Sequence, residues 1–178
     1  MDKPKISPAD LEAAIRTVAD FPKPGIQFKD ITPVLADSRL FAASIDLLIG
    51  DLKPGMVDAV VGIDARGFIF AAAVALKLQA GFVPVRKKGK LPFSTFEQSY
   101  SLEYGTNTIA IHTDAIHRGS RVLLVDDLLA TGGTAQAAAQ LLDKLGARIL
   151  EIVFLIELSF LNGRDRLGQF PVRSLITY

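Results

Sequence analysis

The sequence of 178 residues contains no cysteine and no tryptophan, and it has only two methionines and two histidines. The lack of cysteine excludes disulfides, thiolate catalysis and zinc–thiolate sites, and it fits a reducing compartment. Long hydrophobic runs are missing as well. The longest, Phe68–Leu76, is well short of the roughly 18 apolar residues that a membrane helix needs. We therefore expect a cytoplasmic protein with no membrane partner.

The sequence also lacks an excess of charge of either sign. The formal net charge is +1, so the chain has no overall field that would attract nucleic acid, and we expect no nucleic-acid partner. Any site for an anion must come from local geometry. Hydrophobic residues make up 49% of the chain and charged residues 22%, a balance that predicts a single domain over residues 1–178.

The first fifty residues predict two helices joined by an irregular segment. Ser7 and Pro8 are typical of a helix start, and the apolar period continues through Val18. The segment Phe21–Pro33 is interrupted by prolines and glycine, which predicts an extended loop. A second helical pattern covers Ser38–Leu52.

Short apolar runs then alternate with helical patterns along the chain. The predicted strands are Ala59–Ile63, Phe82–Arg86, Arg121–Val125 and Arg148–Leu158. The predicted helices are Phe68–Leu78 and Ala135–Leu145. Such alternation indicates an α/β fold with a mostly parallel twisted sheet and helices on both faces.

One region interrupts this alternation. Lys87–Phe96 is basic, contains glycine and proline, and has no apolar period. It leads into Ser99–Tyr104 and Thr108–His112, which resemble the two strands of a hairpin. Because long irregular loops in compact domains usually carry function, we predict a mobile loop and hairpin over residues 87–112.

The most informative segment is Val122–Thr134. A buried strand ends in Asp126 and Asp127, and a loop of small residues leads directly into a helix. Ligands of open α/β sheets bind at the carboxyl ends of strands. The backbone N–H groups of Ala130–Thr134, at a helix N-terminus, favour an anion such as a phosphate. The two acids suit hydroxyl groups, a metal ion or a developing positive charge.

These thirteen residues resemble the signature loop of the type I phosphoribosyltransferases, which bind phosphoribosyl pyrophosphate. The segments Phe21–Pro33, Gly62–Phe68, Arg86–Pro92 and Tyr100–Gly105 are similar to the branch of that family that uses adenine. The resemblance implies transfer of the 5-phosphoribosyl group to adenine, giving AMP and pyrophosphate in purine salvage. It also implies Mg²⁺ held mainly by the substrate, a homodimer, and an N-terminal base-binding hood over residues 1–35.

The resemblance further assigns roles to individual residues. The 5′-phosphate would be held by Ala130, Thr131, Gly132, Gly133 and Thr134. Pyrophosphate would be bound by Arg66, Arg86, Lys87 and Lys90. The base would be bound by Gln27, Phe28, Lys29 and Leu128. The catalytic residues would be Glu103, Asp126, Asp127 and Arg66.

The residue pattern alone supports these roles unequally. Arg66, at the start of a predicted helix, opposes the helix dipole unless an anion joins it, which favours an anion site. Phe28 equally suits a hydrophobic core. Glu103 lies on the polar face of a predicted strand, so its catalytic role depends on the resemblance.

Three alternative functions stay open. The same chemistry could act on hypoxanthine, guanine or xanthine. A regulator that senses phosphoribosyl pyrophosphate and binds nucleic acid would need a helix-turn-helix, and none precedes Phe21. In a phospho-acceptor signalling domain, the acid pair would lie near the N-terminus.

The sequence also bears on assembly. The predicted helix Phe68–Leu78 is apolar at nearly every position, more than one core-facing stripe requires. A second subunit could cover the additional apolar surface, or the chain's own sheet layers could bury it.

Overall fold

The computed structural model describes residues 5–101 and 106–178, without the side chain of Ser101. The chain divides into two compact units, one that ends at Leu47 and one that begins at Leu48. The single domain over residues 1–178, and the hood over residues 1–35, stay predictions.

The first unit combines short helices with a two-stranded sheet. Its elements are α1 (Pro8–Ala14), β1 (Arg16–Ala19), β2 (Gln27–Asp30), α2 (Thr32–Ala36) and the start of α3 (Ser38–Ile49). Ser7 caps α1 as predicted, and the Ser7 N–H donates to the Asp10 carboxylate at 2.8 Å. The strands β1 and β2 pair antiparallel.

Three predicted boundaries in this part of the chain were wrong. The first helix ends at Ala14 and Val18 lies in β1, because Ile15 is extended and the next four residues pair with β2. The segment Phe21–Pro33 is not one loop, since it contains β2 and the start of α2. The second predicted helix ends at Ile49 rather than Leu52, because the next residue, Gly50, adopts a φ of +60°.

The second unit is built on a seven-stranded sheet. Its strands are β3 (Ala59–Ile63), β4 (Gly81–Lys87), β5 (Thr95–Ser101), β6 (Thr106–His112), β7 (Arg121–Leu129), β8 (Arg148–Glu157) and β9 (Val172–Thr177). They lie in the order β5-β6-β4-β3-β7-β8-β9. The neighbouring strands β4, β3, β7, β8 and β9 are all parallel. At the edge formed by β5, strand β6 pairs antiparallel with both β5 and β4. The predicted α/β fold with a mostly parallel sheet is confirmed.

Two helices, α4 (Gly67–Leu78) and α5 (Gly133–Leu145), cover opposite faces of this sheet. The α5 side chains share a core with Val61, Leu124 and Phe154. On the other face, α4 packs so closely that a Cβ placed on Gly62 would lie 2.7 Å from the Cβ of Ala71. Among the described residues, no helix combines the length and the apolarity needed to span a bilayer.

The ends of the elements in the second unit differ from the prediction in ways that matter for the site. Strand β7 continues past Val125 to Leu129, because its pairing with β8 extends to Leu129 opposite Glu157. On its other side, the pairing with β3 stops at Val125. The basic irregular segment is confined to residues 88–94, since β4 includes Lys87 and β5 begins at Thr95. Strand β9 and a 3₁₀ helix over Gly163–Leu167 were not predicted.

Candidate functional site

A cavity of about 310 Å³ lies at the carboxyl ends of β3 and β7. It is lined by residues 63–66, by Tyr100 and by residues 126–135. The step between the two strands creates it, because β7 continues for four residues beyond the last pair it forms with β3. The predicted end of this strand at Val125 was wrong, since β7 continues to Leu129 and includes Asp126 and Asp127.

The two acids occupy a confined position. Asp127 is only 6% exposed, and its N–H donates to Asp126 Oδ1 at 2.9 Å. The start of α4 approaches Asp126 so closely that a Cβ on Gly67 would lie 2.5 Å from Asp126 Oδ1. Only glycine fits there without moving the carboxylate.

The surroundings make two negative charges costly. Burial raises the pKa of Asp126 well above its usual value, and the charge of Asp127 raises it further. Burial also raises the pKa of Asp127, although Arg66 opposes that shift. A pair of this kind is stabilised by positive charge or by hydroxyl donors that enter the cavity.

Arg66 supplies part of that positive charge. It is the N-cap residue of α4, and its Nε lies 2.9 Å from Asp127 Oδ2. The anion expected beside Arg66 is thus provided within the chain by Asp127. The Arg66 side chain is still 39% exposed, so its outer face remains accessible to a ligand.

The loop between β7 and α5 has the form expected of a phosphate site. Ala130–Thr134 all line the cavity, and Gly132, the N-cap residue of α5, has a φ of +78°. The first N–H groups of a helix have no acceptor within the helix, and the dipole of α5, which is thirteen residues long, favours an anion there. The structure brings this loop, Asp126, Asp127, Arg66 and Leu128 to one cavity.

Of the predicted pyrophosphate cations, Arg66 lines the cavity, whereas Arg86, Lys87 and Lys90 do not. Arg86 Nε lies 3.1 Å from the carboxylate of Asp64, which does line the cavity. Arg86 also donates to the carbonyl oxygen of Lys90 at 3.2 Å. Lys87 and Lys90 are exposed, and the N–H of Lys90 donates to the carbonyl of Lys87 at 3.1 Å.

The predicted base-binding residues fall in both units. Gln27, Phe28 and Lys29 form most of β2 in the first unit, where the Phe28 ring packs edge-on against Phe21 at 5.1 Å. Leu128 lines the cavity in the second unit. Their common role in binding a base stays a prediction. Glu103 lies outside the described residues.

Sequence reasoning missed three residues at or next to the cavity. Asp64 follows the buried strand β3 much as Asp126 follows the apolar start of β7, and that signal could have identified it. Tyr100 reaches the cavity from β5. Gly163, from the unpredicted 3₁₀ helix, lies against the loop itself. Tyr100 and Gly163 are distant from the other site residues in the sequence, so no local pattern indicates them.

Comparisons with known proteins agree with this geometry. The family model described as phosphoribosyl transferase domain matches residues 27–168. The chain is 59% identical to the adenine phosphoribosyltransferase of Acidothermus cellulolyticus, over 95% of this chain and 98% of that protein. The crystal structure of adenine phosphoribosyltransferase from Rhodothermus marinus is 51% identical, with a TM-score of 0.90 over 96% of this chain and 98% of that one.

A second solved structure resembles this chain at lower identity. The adenine phosphoribosyltransferase of Saccharomyces cerevisiae, crystallised with an imino-altritol bisphosphate and adenine, is 40% identical. It has a TM-score of 0.87 and covers 94% of this chain and 97% of that one. The model match and the near full-length identities decide the family: this chain belongs to the adenine phosphoribosyltransferases, within the family defined by the phosphoribosyl transferase domain.

Proposed function

We infer that this chain transfers the 5-phosphoribosyl group from phosphoribosyl pyrophosphate to adenine, giving AMP and pyrophosphate for purine salvage. The observation that carries the inference is a single cavity lined by both an acid pair and a loop suited to phosphate. A phosphate and a ribose bound side by side need this combination, because one is an anion and the other develops positive charge in the reaction.

The 5′-phosphate is assigned to Ala130–Thr134. Backbone N–H groups and the dipole of α5 attract it, and the hydroxyls of Thr131 and Thr134 can donate further hydrogen bonds. Their backbone donors are fixed by the start of the helix, so little reorganisation is needed when the phosphate binds.

The ribose is assigned to Asp126 and Asp127. In the reaction the bond from C1 of the ribose to pyrophosphate breaks, and C1 forms a bond to N9 of adenine. Positive charge develops on the ribose in between, as in other glycosyl transfers. Two carboxylates whose pKa values are raised by burial gain stability from that charge, which lowers the barrier. The proton of N9 goes to a base, for which Glu103 is the candidate.

The pyrophosphate is assigned to Arg66, Arg86, Lys87 and Lys90. Arg66 is already beside the acid pair, and Arg86 is held at the cavity by Asp64. To bind pyrophosphate, Arg86 exchanges its contact with Asp64 for one with the ligand. Lys87 and Lys90 come from the segment that we expect to close over the leaving group and exclude water.

We also propose that Mg²⁺ accompanies the substrate. Among the described residues, no group of three or more histidines, cysteines, aspartates or glutamates could hold a metal ion. A single carboxylate of the cavity lining, such as Asp126 or Asp127, could add an oxygen ligand to an ion held mainly by substrate oxygens and water. Bound to pyrophosphate, the ion would neutralise part of the charge of the leaving group.

The base-binding roles of Gln27, Phe28, Lys29 and Leu128 are proposed on the resemblance, and a panel of bases tests them together with the reaction. Adenine, hypoxanthine, guanine and xanthine are assayed separately with phosphoribosyl pyrophosphate and Mg²⁺, and with EDTA as the control. We expect turnover with adenine, with kcat/KM roughly 100-fold or more above that for the other bases, and loss of turnover in EDTA.

Each other outcome of that assay has a distinct meaning. Preference for another purine would contradict the adenine assignment while leaving the phosphoribosyl chemistry intact. Binding of phosphoribosyl pyrophosphate without turnover of any base would instead indicate a sensor, and the enzymatic proposal would fail. Full turnover in EDTA would contradict the role of Mg²⁺.

We further propose a homodimer formed through α4. One face of this helix is buried in the chain's own core, including Phe70, Val74 and Leu78. The opposite face remains exposed: Ile69 is 40% exposed and Leu76 is 82% exposed. An exposed apolar stripe on a helix is a typical subunit contact.

The proposed location is the cytoplasm. Phosphoribosyl pyrophosphate is a multiply charged molecule that does not cross a bilayer unaided, so its consumer has to share its compartment. Cell fractionation followed by the adenine assay tests this, and activity confined to a membrane fraction would contradict it.

A further inference from the structure

The 3₁₀ helix Gly163–Leu167 lies directly behind the loop assigned to the 5′-phosphate. A Cβ placed on Gly163 would overlap the carbonyl oxygen of Ala130 and lie 2.9 Å from the backbone nitrogen of Gly132. In the reverse direction, a Cβ on Gly132 would overlap the carbonyl oxygen of Gly163. The two backbones are therefore in contact, and Gly163 supports the loop without lining the cavity.

The residue after Gly163 is anchored much more firmly than an exposed arginine usually is. The Arg164 guanidinium makes a two-pronged contact with Glu157, with Nε to Oε1 at 3.0 Å and Nη2 to Oε2. Its Nη1 donates to the carbonyl oxygen of Val172 at 2.8 Å. Planar two-pronged pairing of this kind fixes orientation as well as distance.

The acceptor of this contact is itself fixed. Glu157 is only 6% exposed, and it also accepts a hydrogen bond from Ser174 Oγ at 2.7 Å. The hydrogen bond from Arg164 is the main cause that lowers the pKa of Glu157 below its usual value. The carboxylate therefore stays ionised at neutral pH, and the pair is lost only as pH falls through that lowered pKa.

The anchor also lies close to the loop along the sheet. Glu157, the last residue of β8, is the pairing partner of Leu129, the last residue of β7 before the loop. The next N–H, that of Leu158, donates to the carbonyl oxygen of Leu129 at 2.9 Å. Glu157 thus fixes the start of the loop through β7, and it fixes the back of the loop through Arg164 and Gly163.

We propose that Arg164, held by Glu157, is a positioning residue for the 5′-phosphate loop. By pressing Gly163 against Ala130 and Gly132, it keeps the backbone N–H groups of Ala130–Thr134 directed into the cavity. This rests on the proposed function in one respect, namely that the loop binds the 5′-phosphate. Arg164 itself does not line the cavity.

The test compares Arg164→Met with Arg173→Met, a matched control. Arg173, in β9, makes the same two-pronged contact with Glu151, at 3.0 and 2.8 Å, and Glu151 lies in the first half of β8, away from the end that carries Glu157. Dissociation constants for AMP and for pyrophosphate, KM for both substrates, and the thermal midpoint are measured for each variant. All measurements use the chain of residues 1–178.

We expect Arg164→Met to raise both the dissociation constant for AMP and the KM for phosphoribosyl pyrophosphate about 10-fold. Hydrogen-bond donors that are displaced from the phosphate lose a large part of their binding energy. Pyrophosphate affinity and KM for adenine should change less than about twofold, since neither ligand uses the loop. Arg164→Lys keeps the charge but not the two-pronged geometry, so it should recover only part of the loss. Arg173→Met should leave all four binding values near those of the wild type.

A double variant separates positioning from stability. Removing Arg164 alone leaves a buried unpaired carboxylate, which lowers stability for reasons unrelated to the loop. Arg164→Met combined with Glu157→Leu removes both charges and should recover much of the thermal midpoint while AMP binding stays weak. If Arg164→Met does not fold, the double variant and Arg164→Lys carry the same comparison.

The outcomes are distinct. If AMP binding recovers together with stability in the double variant, or if Arg164→Met and Arg173→Met affect AMP equally, the positioning role is wrong and the proposed function stands. If the wild-type protein binds neither AMP nor phosphoribosyl pyrophosphate, the proposed function fails, and the positioning role fails with it.

Discussion

Asp126 shows how the burial of a single carboxyl group makes stability depend on pH. Its carboxylate is packed between Asp127 and the start of α4, and burial raises its pKa well above the usual 3.8. In the pH range between that value and the raised one, the folded state holds a proton that the unfolded state has released. Stability therefore falls as pH rises through this range, and above it the full cost of the charge is present.

We predict that Asp126→Asn is more stable than the wild type at pH 7.5 by roughly 0.5–2 kcal/mol, and that its turnover is much lower. Asparagine keeps the oxygen that accepts the Asp127 N–H but cannot ionise. Urea unfolding of both proteins between pH 4 and pH 8 measures the difference, which should shrink towards acid pH.

Asp114→Asn serves as the control, because Asp114 is exposed in the turn after β6. Its replacement should change stability by less than about 0.5 kcal/mol at any pH. A less stable Asp126→Asn at pH 7.5 would mean that the cavity stabilises the carboxylate, and the argument from burial would be wrong.

Single residues of the site were predictable where the signal is local. Asp126, Asp127 and the glycines after them follow an apolar run directly, so the chain itself carries the pattern. Tyr100 and Gly163 reach the site through strand pairing and packing between distant segments, which a local pattern does not encode. Gly163 also explains why position 132 needs glycine. A side chain at Gly132 would collide with the backbone of Gly163 before it reached a ligand.

At the scale of elements, the end of β4 and the turn after it carry two of the proposed pyrophosphate cations. Lys87 ends the strand and Lys90 follows in a turn, and both are exposed. We predict that the double variant Lys87→Ala, Lys90→Ala binds phosphoribosyl pyrophosphate and pyrophosphate about 10-fold more weakly than the wild type. Its affinity for AMP should be unchanged. AMP lacks the leaving group that these cations are proposed to bind.

Titration calorimetry with the three ligands measures this effect. Lys88→Ala is the matched control, because Lys88 lies between the two and is paired with Glu97 at 2.7 Å. The difference between variant and wild type should decrease as salt is added, since exposed charges are screened. If the affinities for AMP and for pyrophosphate fall equally, the segment has a structural role or contacts the 5′-phosphate instead.

The centres of most elements in the second unit were predictable, and their ends were not. Apolar runs such as Ala59–Ile63 specify a buried strand by themselves. The end of β7 depends on how far β8 continues beside it, and the end of α3 depends on the conformation of Gly50. Strand β9 has only one residue with a fully buried side chain, Ile176, so its apolar signal is weak.

At the scale of the whole molecule, α4 connects the site to assembly. Its first residues adjoin Arg66 and Asp126, while its outer face carries the exposed stripe of Ile69 and Leu76. The sequence left two explanations open for the apolar helix. The structure shows that the chain's own core buries one face of the helix and that Ile69 and Leu76 on the other face are exposed.

We predict that Leu76→Glu converts a dimer into a monomer. Leu76 is 82% exposed, so glutamate costs little in the monomer, whereas a buried interface would have to accommodate an unpaired charge. Light scattering across a dilution series measures the mass, and specific activity is followed in parallel. Because α4 also borders the cavity, activity should fall together with mass.

Phe160→Glu is the control for this last experiment. Phe160 is also apolar and exposed, at 68%, but it lies in the short 3₁₀ helix Ser159–Leu161 after β8, outside α4. Its replacement should leave mass and activity unchanged. A wild-type protein that is monomeric and fully active at assay concentration would contradict the dimer. A dimer that persists in Leu76→Glu but dissociates in Phe160→Glu would place the interface at the 3₁₀ helix Ser159–Leu161.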